Sequence, residues 1–319
     1  MGLVFAALAV VAGLVGLVFG ADRFVLGASS LARRMGVSPL LVGMLVVGLG
    51  TSAPEMLVSA TAALDGSGGI AMGNAVGSNI TNIALVLGVS ALIKPISLHR
   101  EVVRREMPVV LVITLVAGAL LWDLYLGPFD GAVLVTVLVL FLIRAIRSGR
   151  AASEEDEVGE PSMGYGRAGL WLGVGLVLLV GSSRGVVWGA SSIASALGVS
   201  DLIVGLTVVA VGTSLPELAA SVAAAIRDEH AMAIGNVLGS NAFNLLAVLP
   251  FPAFIDPGEV ERALLFRDYA VMLGLTVLLM LFSIAVRERG RINRVEGGVF
   301  AALYVGYVTL LVFSAVRAG

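Results

Sequence analysis

Two acidic residues lie deep inside apolar runs of this chain. Glu55 lies in the segment GLGTSAPEML and Glu217 in AVGTSLPELA, and both segments otherwise read as lipid-soluble helix. An unpaired carboxylate in a membrane interior costs at least about 2.5–3.5 kcal/mol on insertion scales, so such a residue is functional by default. The alternative is that each glutamate is protonated, bonded to a nearby hydroxyl and inert.

Oxygen-bearing side chains surround both glutamates at helical spacing. Thr51 and Glu55 are four residues apart and share one helix face, and Thr213 and Glu217 repeat this spacing. Further hydroxyl and amide side chains come from the same motif and from a second one, GNAVGSN in the first half of the chain and GNVLGSN in the second. They are Ser52, Ser78 and Asn82, then Ser214, Ser240 and Asn244.

This donor set favours hard cations. Carboxylate, hydroxyl, amide and carbonyl oxygens, with neither histidine nor cysteine, suit calcium or sodium and not zinc or copper. Two carboxylates supply a charge of −2, which balances one calcium ion or two sodium ions, and most of the charge of three sodium ions.

Each motif also contains a proline where a helix would otherwise continue. Pro54 and Pro216 lack an N–H group and clash with the carbonyl four residues earlier, so we expect the carbonyls of Gly50 and Gly212 to be released from helical bonding. Irregular backbone at membrane depth is tolerated only where it is buried in protein or lines a cavity. The alternative is a kink that serves packing alone.

The composition indicates an all-α integral membrane protein. The 319 residues are 58% hydrophobic and 13% charged, with a mean hydropathy of +1.02; soluble domains have about 45–50% apolar and about 25% charged residues. The net charge of −2 argues against a nucleic-acid partner and leaves membrane lipid as the expected surroundings. The absence of cysteine excludes disulfides, thiolate metal sites and cysteine nucleophiles.

The apolar runs predict ten transmembrane helices. They lie near 3–28, 36–62, 70–92, 105–122, 129–146, 167–192, 199–226, 231–254, 266–286 and 294–316. Nearly all basic residues fall in the odd-numbered connections, and only Arg262 and Arg267 oppose the trend. By the positive-inside rule those connections are cytoplasmic, so both termini are expected outside the cytoplasm.

An internal repeat divides the chain. The segment from Met35 aligns without gaps to that from Leu197, and both motifs recur at a constant offset of 162 positions, as from Glu55 to Glu217. Five spans separate equivalent points, and an odd number of crossings inverts a segment, so we predict two inverted five-helix repeats, an arrangement typical of secondary transporters. The expected domains are 1–147 and 167–319, joined by a cytoplasmic linker at 148–166 whose acidic residues are either a solvated connector or regulatory.

The second motif has its own packing prediction. Its glycines, spaced as GxxxG, indicate close helix packing. They are Gly73 and Gly77 in the first half and Gly235 and Gly239 in the second. The asparagines of the same motif are cation ligands or helix-to-helix hydrogen bonds, and we favour hydrogen bonds. They are Asn74, Asn79, Asn236 and Asn241.

The paired motifs GTSAPE with GNAVGSNITN, and GTSLPE with GNVLGSNAFN, resemble the two alpha repeats of the sodium/calcium exchangers, in the calcium:cation antiporter superfamily, and specifically its compact prokaryotic members. The resemblance implies that Glu55 and Glu217 bind calcium with the carbonyls of Thr51 and Thr213. It also implies flanking sodium sites, one formed by Ser52, Ser78 and the carbonyl of Gly48, the other by Ser214, Ser240 and the carbonyl of Ala210. Asn82 and Asn244 match polar central positions of the family. Asparagine at 244, where some relatives have aspartate, argues against potassium co-transport.

The function implied is secondary active antiport. The resemblance implies that sodium and calcium exchange electrogenically by alternating access, with spans one and six sliding against the rest and calcium extruded from the cell. We expect a monomer in the cell membrane, with transported ions in place of any cofactor and no enzymatic activity. The rival interpretations are a proton/calcium or other divalent cation antiporter, a cation channel, and an intramembrane hydrolase.

Overall fold

The computed structural model describes residues 2–99, 102–152, 163–199, 204, 208, 210–284 and 290–318. The centre of the predicted linker and most of the first half of the predicted seventh span lie outside these residues. The helices are α1 (Gly2–Met35), α2 (Pro39–Thr51), α3 (Ala53–Leu64), α4 (Gly68–Ile93), α5 (Met107–Leu120), α6 (Pro128–Ala152), α7 (Tyr165–Ala196), α8 (Ala210–Thr213), α9 (Leu215–Ile226), α10 (His230–Ile255), α11 (Leu264–Ile284) and α12 (Arg294–Ala318). The strands are β1 (Ile96–Ser97), β2 (Tyr125–Leu126), β3 (Gly258–Glu259) and β4 (Arg291–Ile292).

These helices confirm an all-helical, multi-pass membrane architecture. Seven helices in the described part of the chain are long and apolar enough to cross a membrane, and α2 with α3 makes an eighth span with a bend of 43°. A π-helical turn at Val102–Glu106 precedes α5 and carries three charged residues. The helix α9 has 12 residues, and most of the segment before α8 lies outside the described residues.

The core of the bundle is formed by α4 and α10. In their most apolar windows, 72% and 78% of the residues are buried, against 17% for each of α1 and α7. The helices that carry the second motif are therefore surrounded by protein, whereas α1 and α7 leave most of their apolar surface uncovered. This places polar side chains where neighbouring helices can satisfy them.

Glycines bring α1 and α7 into close antiparallel contact. A Cβ atom added at Gly13 would lie 2.6 Å from Val186, and one added at Gly27 would lie 2.6 Å from the backbone nitrogen of Leu172. Between them, a Cβ atom at Gly20 would lie 2.9 Å from Leu178. Small residues allow backbones to approach in a membrane, where packing rather than the hydrophobic effect holds helices together.

Two short antiparallel ladders join the connections between helices. The strand β1, after α4, pairs with β4, before α12, with Ile96 opposite Ile292. The strand β2, after α5, pairs with β3, after α10, with Leu126 opposite Gly258. Each ladder ties an early connection to a late one and closes the bundle at that point.

The GxxxG prediction is confirmed for the second half of the chain. A Cβ atom at Gly235 would lie 2.6 Å from the carbonyl oxygen of Leu40, and one at Gly239 would lie 2.2 Å from that of Met44. The helix α10 therefore packs directly on the backbone of α2, across the boundary between the halves. For Gly73 and Gly77 the described residues include no atom within 4 Å of such a Cβ, so that half of the expectation stays a prediction.

We expect Gly239→Ala to destabilise the protein. The new methyl group would overlap the Met44 carbonyl, and the backbone cannot yield as a flexible side chain would; overpacking of this kind costs about 1–3 kcal/mol. Thermal unfolding in detergent should show a lower midpoint. The control is Gly274→Ala in α11, which meets no described atom within 4 Å, and an unchanged midpoint for Gly239→Ala would contradict the packing argument.

Candidate cation-binding site

Both glutamates lie in the first turn of a helix that follows a break. The helix α2 ends at Thr51, Ser52 takes φ −80° and ψ 2°, and α3 begins with Pro54 in its first turn and Glu55 directly after it. In the second half Ser214 takes φ −90° and ψ 8° before Glu217 in α9. Proline suits the first turn because its missing N–H would have no helical partner there. A carboxylate at a helix N-terminus is also favoured by the helix dipole.

Both glutamates are buried, and Glu217 of the second half contacts a residue of the first half. Glu55 and Glu217 are each 1% exposed. The Ser52 hydroxyl donates to Oε1 of Glu217 at 3.4 Å, and the two carboxyl groups interact electrostatically. Helix breaks far apart in sequence therefore converge on one point in the bundle interior.

Many polar atoms around this point lack a hydrogen-bond partner among the described residues. They are both carboxyl oxygens of Glu55, Oε2 of Glu217, Oδ1 and Nδ2 of Asn82, Oδ1 of Asn244 and the hydroxyl of Ser214. Nor does any described arginine, lysine or histidine form an ion pair with either glutamate. Buried polar atoms are normally paired, so this concentration of free oxygens indicates a place for a positively charged ligand.

The asparagines of the second motif hold the glutamate helices in position. Asn236 donates to the carbonyl of Glu217 at 3.2 Å and to the hydroxyl of Ser221 at 2.8 Å. Asn74 makes the equivalent bonds, to the carbonyl of Glu55 at 3.1 Å and to the hydroxyl of Ser59 at 2.9 Å. The expectation of helix-to-helix hydrogen bonds is confirmed for both residues, and the two halves use the same construction.

Two hydrogen bonds of these polar side chains join the two halves of the chain. The Thr51 hydroxyl lies 3.1 Å from Oδ1 of Asn236 and 3.0 Å from the carbonyl oxygen of Val47, and its one hydrogen is shared between these two acceptors. A second cross-half bond joins Asn244, whose amide nitrogen donates to Oδ1 of Asn79 at 3.1 Å. Both contacts fix polar groups of one half by groups of the other.

Asn82 and Asn244 each begin a π-helical turn. These turns, Asn82–Leu87 and Asn244–Val248, lie in the middle of α4 and α10. π-turns widen a helix locally and are frequent at functional sites. Sequence spacing predicted a regular helix face here, and only the folded backbone reveals the wider turn that carries the two amides.

The structure places the carbonyl of Gly48 beside a serine of the second half, while its expected role as a sodium ligand stays a prediction. The resemblance grouped this oxygen with Ser78, but it accepts a hydrogen bond from the hydroxyl of Ser240 at 3.3 Å. The reason is the close packing of α10 on α2, which brings Ser240 of the second half to the first helix break. Ser78 instead lines a cavity of about 360 Å³ together with Thr213.

The carbonyls four residues before the prolines lack the regular helical bond, as expected, and take other donors. The carbonyl of Gly212 accepts the hydroxyl of Ser183 in α7 at 2.6 Å, and that of Gly50 accepts the backbone N–H of Ser52. Buried carbonyls rarely stay unpaired, so a neighbouring donor takes the bond that proline cannot make. Ser183 escaped sequence analysis, and the need to satisfy Gly212 is the signal that could have revealed it.

The remaining predicted residues lie around the same point. Ser52, Ser78, Ser214 and Ser240 are at most 5% exposed, and Thr51 is fully buried. Ala210 begins the short helix α8, which Thr213 ends beside the second helix break. The contacts among them join Ser52 to Glu217, Ser240 to Gly48, and Ser78 to Thr213 through a shared cavity.

The chemistry available is binding of a hard cation. The described residues contain no group of three or more histidine, cysteine, aspartate or glutamate side chains that could hold a metal ion. Two carboxylates and several neutral oxygens form a site of modest charge, which suits ions that must bind and leave again.

A multi-pass helical membrane protein with such a site belongs to the class of membrane cation transporters. Comparison with known proteins identifies the family within this class. A sequence model described as sodium/calcium exchanger protein matches residues 5–147 and 168–313. The chain belongs to this family, which makes it a transporter and not an enzyme.

Similar proteins support the same assignment. The chain is 45% identical over 310 residues to the putative antiporter CaxA of Alkalimonas amylolytica, covering 95% of this chain and 97% of that protein. It is 30% identical over 341 residues to the sodium/calcium exchanger MaX1 of Methanosarcina acetivorans, covering 94% and 97%. The solved structure of the sodium-calcium exchanger NCX_Mj, soaked with Na⁺ and Sr²⁺, matches with a TM-score of 0.84 at 34% identity, covering 96% of this chain and 98% of that one.

We expect Asn236→Ala to lower stability more than Asn74→Ala. Both changes leave a carbonyl and a serine hydroxyl without their donor, but only the first also removes one of the two acceptors of Thr51, the one in the other half. A hydrogen bond between membrane helices contributes about 0.6 kcal/mol on average, up to about 1.7 kcal/mol. Thermal unfolding in detergent should order the midpoints as parent, Asn74→Ala, Asn236→Ala, and the reverse order for the two variants would refute a role for the bond to Thr51.

Proposed function

We propose that this protein exchanges sodium for calcium across the membrane as a secondary active antiporter, and that it extrudes calcium at the expense of the sodium gradient. The observation that carries the proposal is the pair of buried carboxylates, Glu55 and Glu217, with three of their four oxygens unpaired among the described residues. Without a cation, each charge remains in an apolar interior at a large free-energy cost. Sodium-calcium exchange is also what the names of MaX1 and NCX_Mj state for those proteins.

Competition for shared ligands would couple the two ions. One calcium ion neutralises both carboxylates, and so do two sodium ions, but the two kinds of ion cannot use the same oxygens at once. An antiporter needs the two ions to exclude each other from the site. Their transport is coupled only if a protein whose site is empty or half-filled does not switch between the outward-open and inward-open states. Buried charge supplies a physical reason: a bundle that must close over the site does so at lower cost when the carboxylates are neutralised.

The proposed calcium ligands are those that the family resemblance implies, and the observed contacts of Ser240 and Ser78 guide the proposed sodium ligands. Calcium is assigned to Glu55 and Glu217 with the carbonyls of Thr51 and Thr213. The sodium sites are assigned to two groups of oxygens that differ from the expected grouping, because Ser240 lies at Gly48 and Ser78 shares a cavity with Thr213. One group is Ser52, Ser240 and the carbonyl of Gly48; the other is Ser78, Ser214 and the carbonyl of Ala210. Asn82 and Asn244 complete the centre.

For the topology we propose ten spans in two inverted repeats, 1–147 and 167–319, with 148–166 as the linker. Contacts between connections support this, because they join odd-numbered connections to odd and even to even. The ladder of β1 with β4 links the third and ninth connections, and that of β2 with β3 links the fourth and eighth. Such pairing is expected if alternate connections lie on opposite sides of the membrane.

The basic connections define the proposed orientation. With the odd-numbered connections in the cytoplasm, both termini lie outside it, in the cell membrane of the host. The complete oxygen cluster is formed within one chain, which supports a functional monomer surrounded by lipid. No resident cofactor enters the proposal, since calcium and sodium are the transported substrates.

Calcium titration of the purified protein tests the site. We expect Glu55→Gln and Glu217→Gln each to weaken calcium binding by more than about 100-fold, because outer-shell partners alone contribute about 10- to 100-fold in metal sites. Isothermal titration with and without sodium should also show competitive weakening in the parent. Glu259→Gln, which removes the same charge from an exposed residue of β3, is the matched control.

Flux measurements test the coupled ion. Everted vesicles should take up calcium when loaded with sodium, and uptake should vanish when choline replaces sodium at constant pH. Uptake that persists in choline and follows a pH gradient would reject sodium coupling in favour of the proton/calcium antiporter. Flux without countertransport would instead indicate a channel.

A further inference from the structure

A charged pair links α1 to the end of α9 outside the cation site. Asp22, near the middle of α1, accepts hydrogen bonds from Nε and Nη2 of Arg227 at 2.9 and 2.5 Å. Arg227 caps the C-terminus of α9, the helix that begins at Glu217. A cavity of about 770 Å³ lies beside the pair, between α1 and α9, so these two helices are not tightly packed against each other there.

The repeat contains the same pair with its charges reversed. At the offset of 162 positions, Asp22 corresponds to Arg184 in α7, and Arg227 corresponds to Asp65. Asp65 caps α3 with φ −83° and ψ 6°, close to φ −81° and ψ 7° at Arg227. The sequence thus places an acid and a base at equivalent positions of both halves, although the individual residue types differ.

Only one of these pairs is formed in the structure. Arg184 and Asp65 are both exposed, and neither forms an ion pair with any described residue. The backbone of the two caps is equivalent, so the difference lies in how α1 and α7 are positioned against the rest of the bundle. One end of the molecule is closed by an ion pair, and the corresponding pair at the other end is open.

From this asymmetry we infer that Asp22–Arg227 and Arg184–Asp65 are alternative latches that form one at a time, each closing α1 and α7 against the bundle at one end. The inference rests on the proposed alternating access, in which two inverted halves exchange conformations. When the halves exchange, the contact that joins Asp22 to Arg227 becomes the contact that joins Arg184 to Asp65. These four are positioning residues and touch no transported ion.

The close packing of α1 on α7 explains how one movement could open one latch and close the other. Their glycine contacts bind them into one antiparallel unit, so a shift that parts Asp22 from Arg227 also carries Arg184. Which latch is formed therefore depends on the position of the α1–α7 unit relative to α3 and α9.

A second ion pair biases the balance toward the observed state. Arg33, near the end of α1, contacts Glu229 at 2.7 Å, close to Arg227. The repeat counterparts of these two residues are Ser195 and Ser67, which cannot form an ion pair. Among these pairs between helices, the state with Asp22–Arg227 closed has two and the other state has one.

The size of the effect is bounded. Exposed ion pairs contribute little, so each is expected to change the equilibrium between the two states by at most about fivefold. That is enough to shift populations where two conformations have similar free energies, and too little to determine whether the protein folds.

Cysteine cross-linking tests the inference, because the chain contains no cysteine of its own. Three double variants are treated in membranes with a short bifunctional thiol reagent, with sodium, with calcium and with neither. They are Asp22→Cys with Arg227→Cys, Asp65→Cys with Arg184→Cys, and, within the α1–α7 unit, Gly16→Cys with Ser182→Cys. The last pair is the control, since a Cβ atom at Gly16 would lie 3.2 Å from that of Ser182.

We expect the two latch pairs to respond in opposite directions. Any condition that raises the cross-linking yield at 65/184 should lower it at 22/227, while the control pair stays constant. Adding Arg33→Gln to the 65/184 variant should raise its yield, by up to about fivefold. Adding Asp22→Asn should act in the same direction, and the exchanged pair Asp22→Arg with Arg227→Asp should reverse that gain, which a general loss of structure would not do.

The outcomes separate this inference from the proposed function. If 65/184 never cross-links, or if both latch pairs rise together, the latch is wrong even when sodium-dependent calcium flux is intact. If the pairs alternate but vesicles show no such flux, the latch stands and sodium-calcium exchange fails. Cross-linking of 22/227 should block any flux present, and reduction should restore it when the reagent contains a disulfide.

Discussion

Two carboxyl groups without a counter-charge dominate the interior of this protein. Glu55 and Glu217 are buried in a bundle where no described basic side chain reaches them, and most of their oxygens have no partner among the described residues. A fold selected only for stability would have paired or removed them, because unpaired buried charge is among the most costly features a protein can carry. We propose that a cation from outside the chain neutralises them, and the unpaired amide and hydroxyl groups near the helix breaks are of the kind that could help to bind it.

The rigidity around this site comes from hydrogen bonds that do not involve the carboxyl groups. Asn74 and Asn236 hold the backbone at the two glutamates, and Thr51 ties one half to the other. The carbonyl that Pro216 cannot engage is taken by Ser183. The backbone is thus satisfied by fixed donors, while most carboxyl oxygens have no partner among the described residues.

The two halves share some contacts and differ in others, and the shared and the differing contacts indicate different things. The equivalent bonds of Asn74 and Asn236 show one construction used twice, which supports a site built by an inverted repeat. The contacts of Asp22 with Arg227 have no equivalent at Arg184 and Asp65 in the described structure. A chain whose halves are alike in sequence but unlike in contact has a second arrangement available to it, in which the halves change roles, and this is what alternating access requires.

The sequence by itself determined the membrane class, the repeat and the two acidic centres, because hydropathy, a constant offset and an acid in an apolar run are local properties of the chain. It also indicated the family, since the paired motifs are specific. It did not show that Ser240 contacts the carbonyl of Gly48, and it predicted that Gly50 and Gly212 lose their helical bonds without naming the donors that replace them. It could not reveal Ser183 as a donor or the π-turns at Asn82 and Asn244. These features depend on which helices approach each other and how closely: Gly239 lets α10 lie on the backbone of α2, and that contact, made across the two halves, decides which oxygens share a site. Only the tertiary structure contains this information, because helix packing pairs residues that no sequence spacing relates.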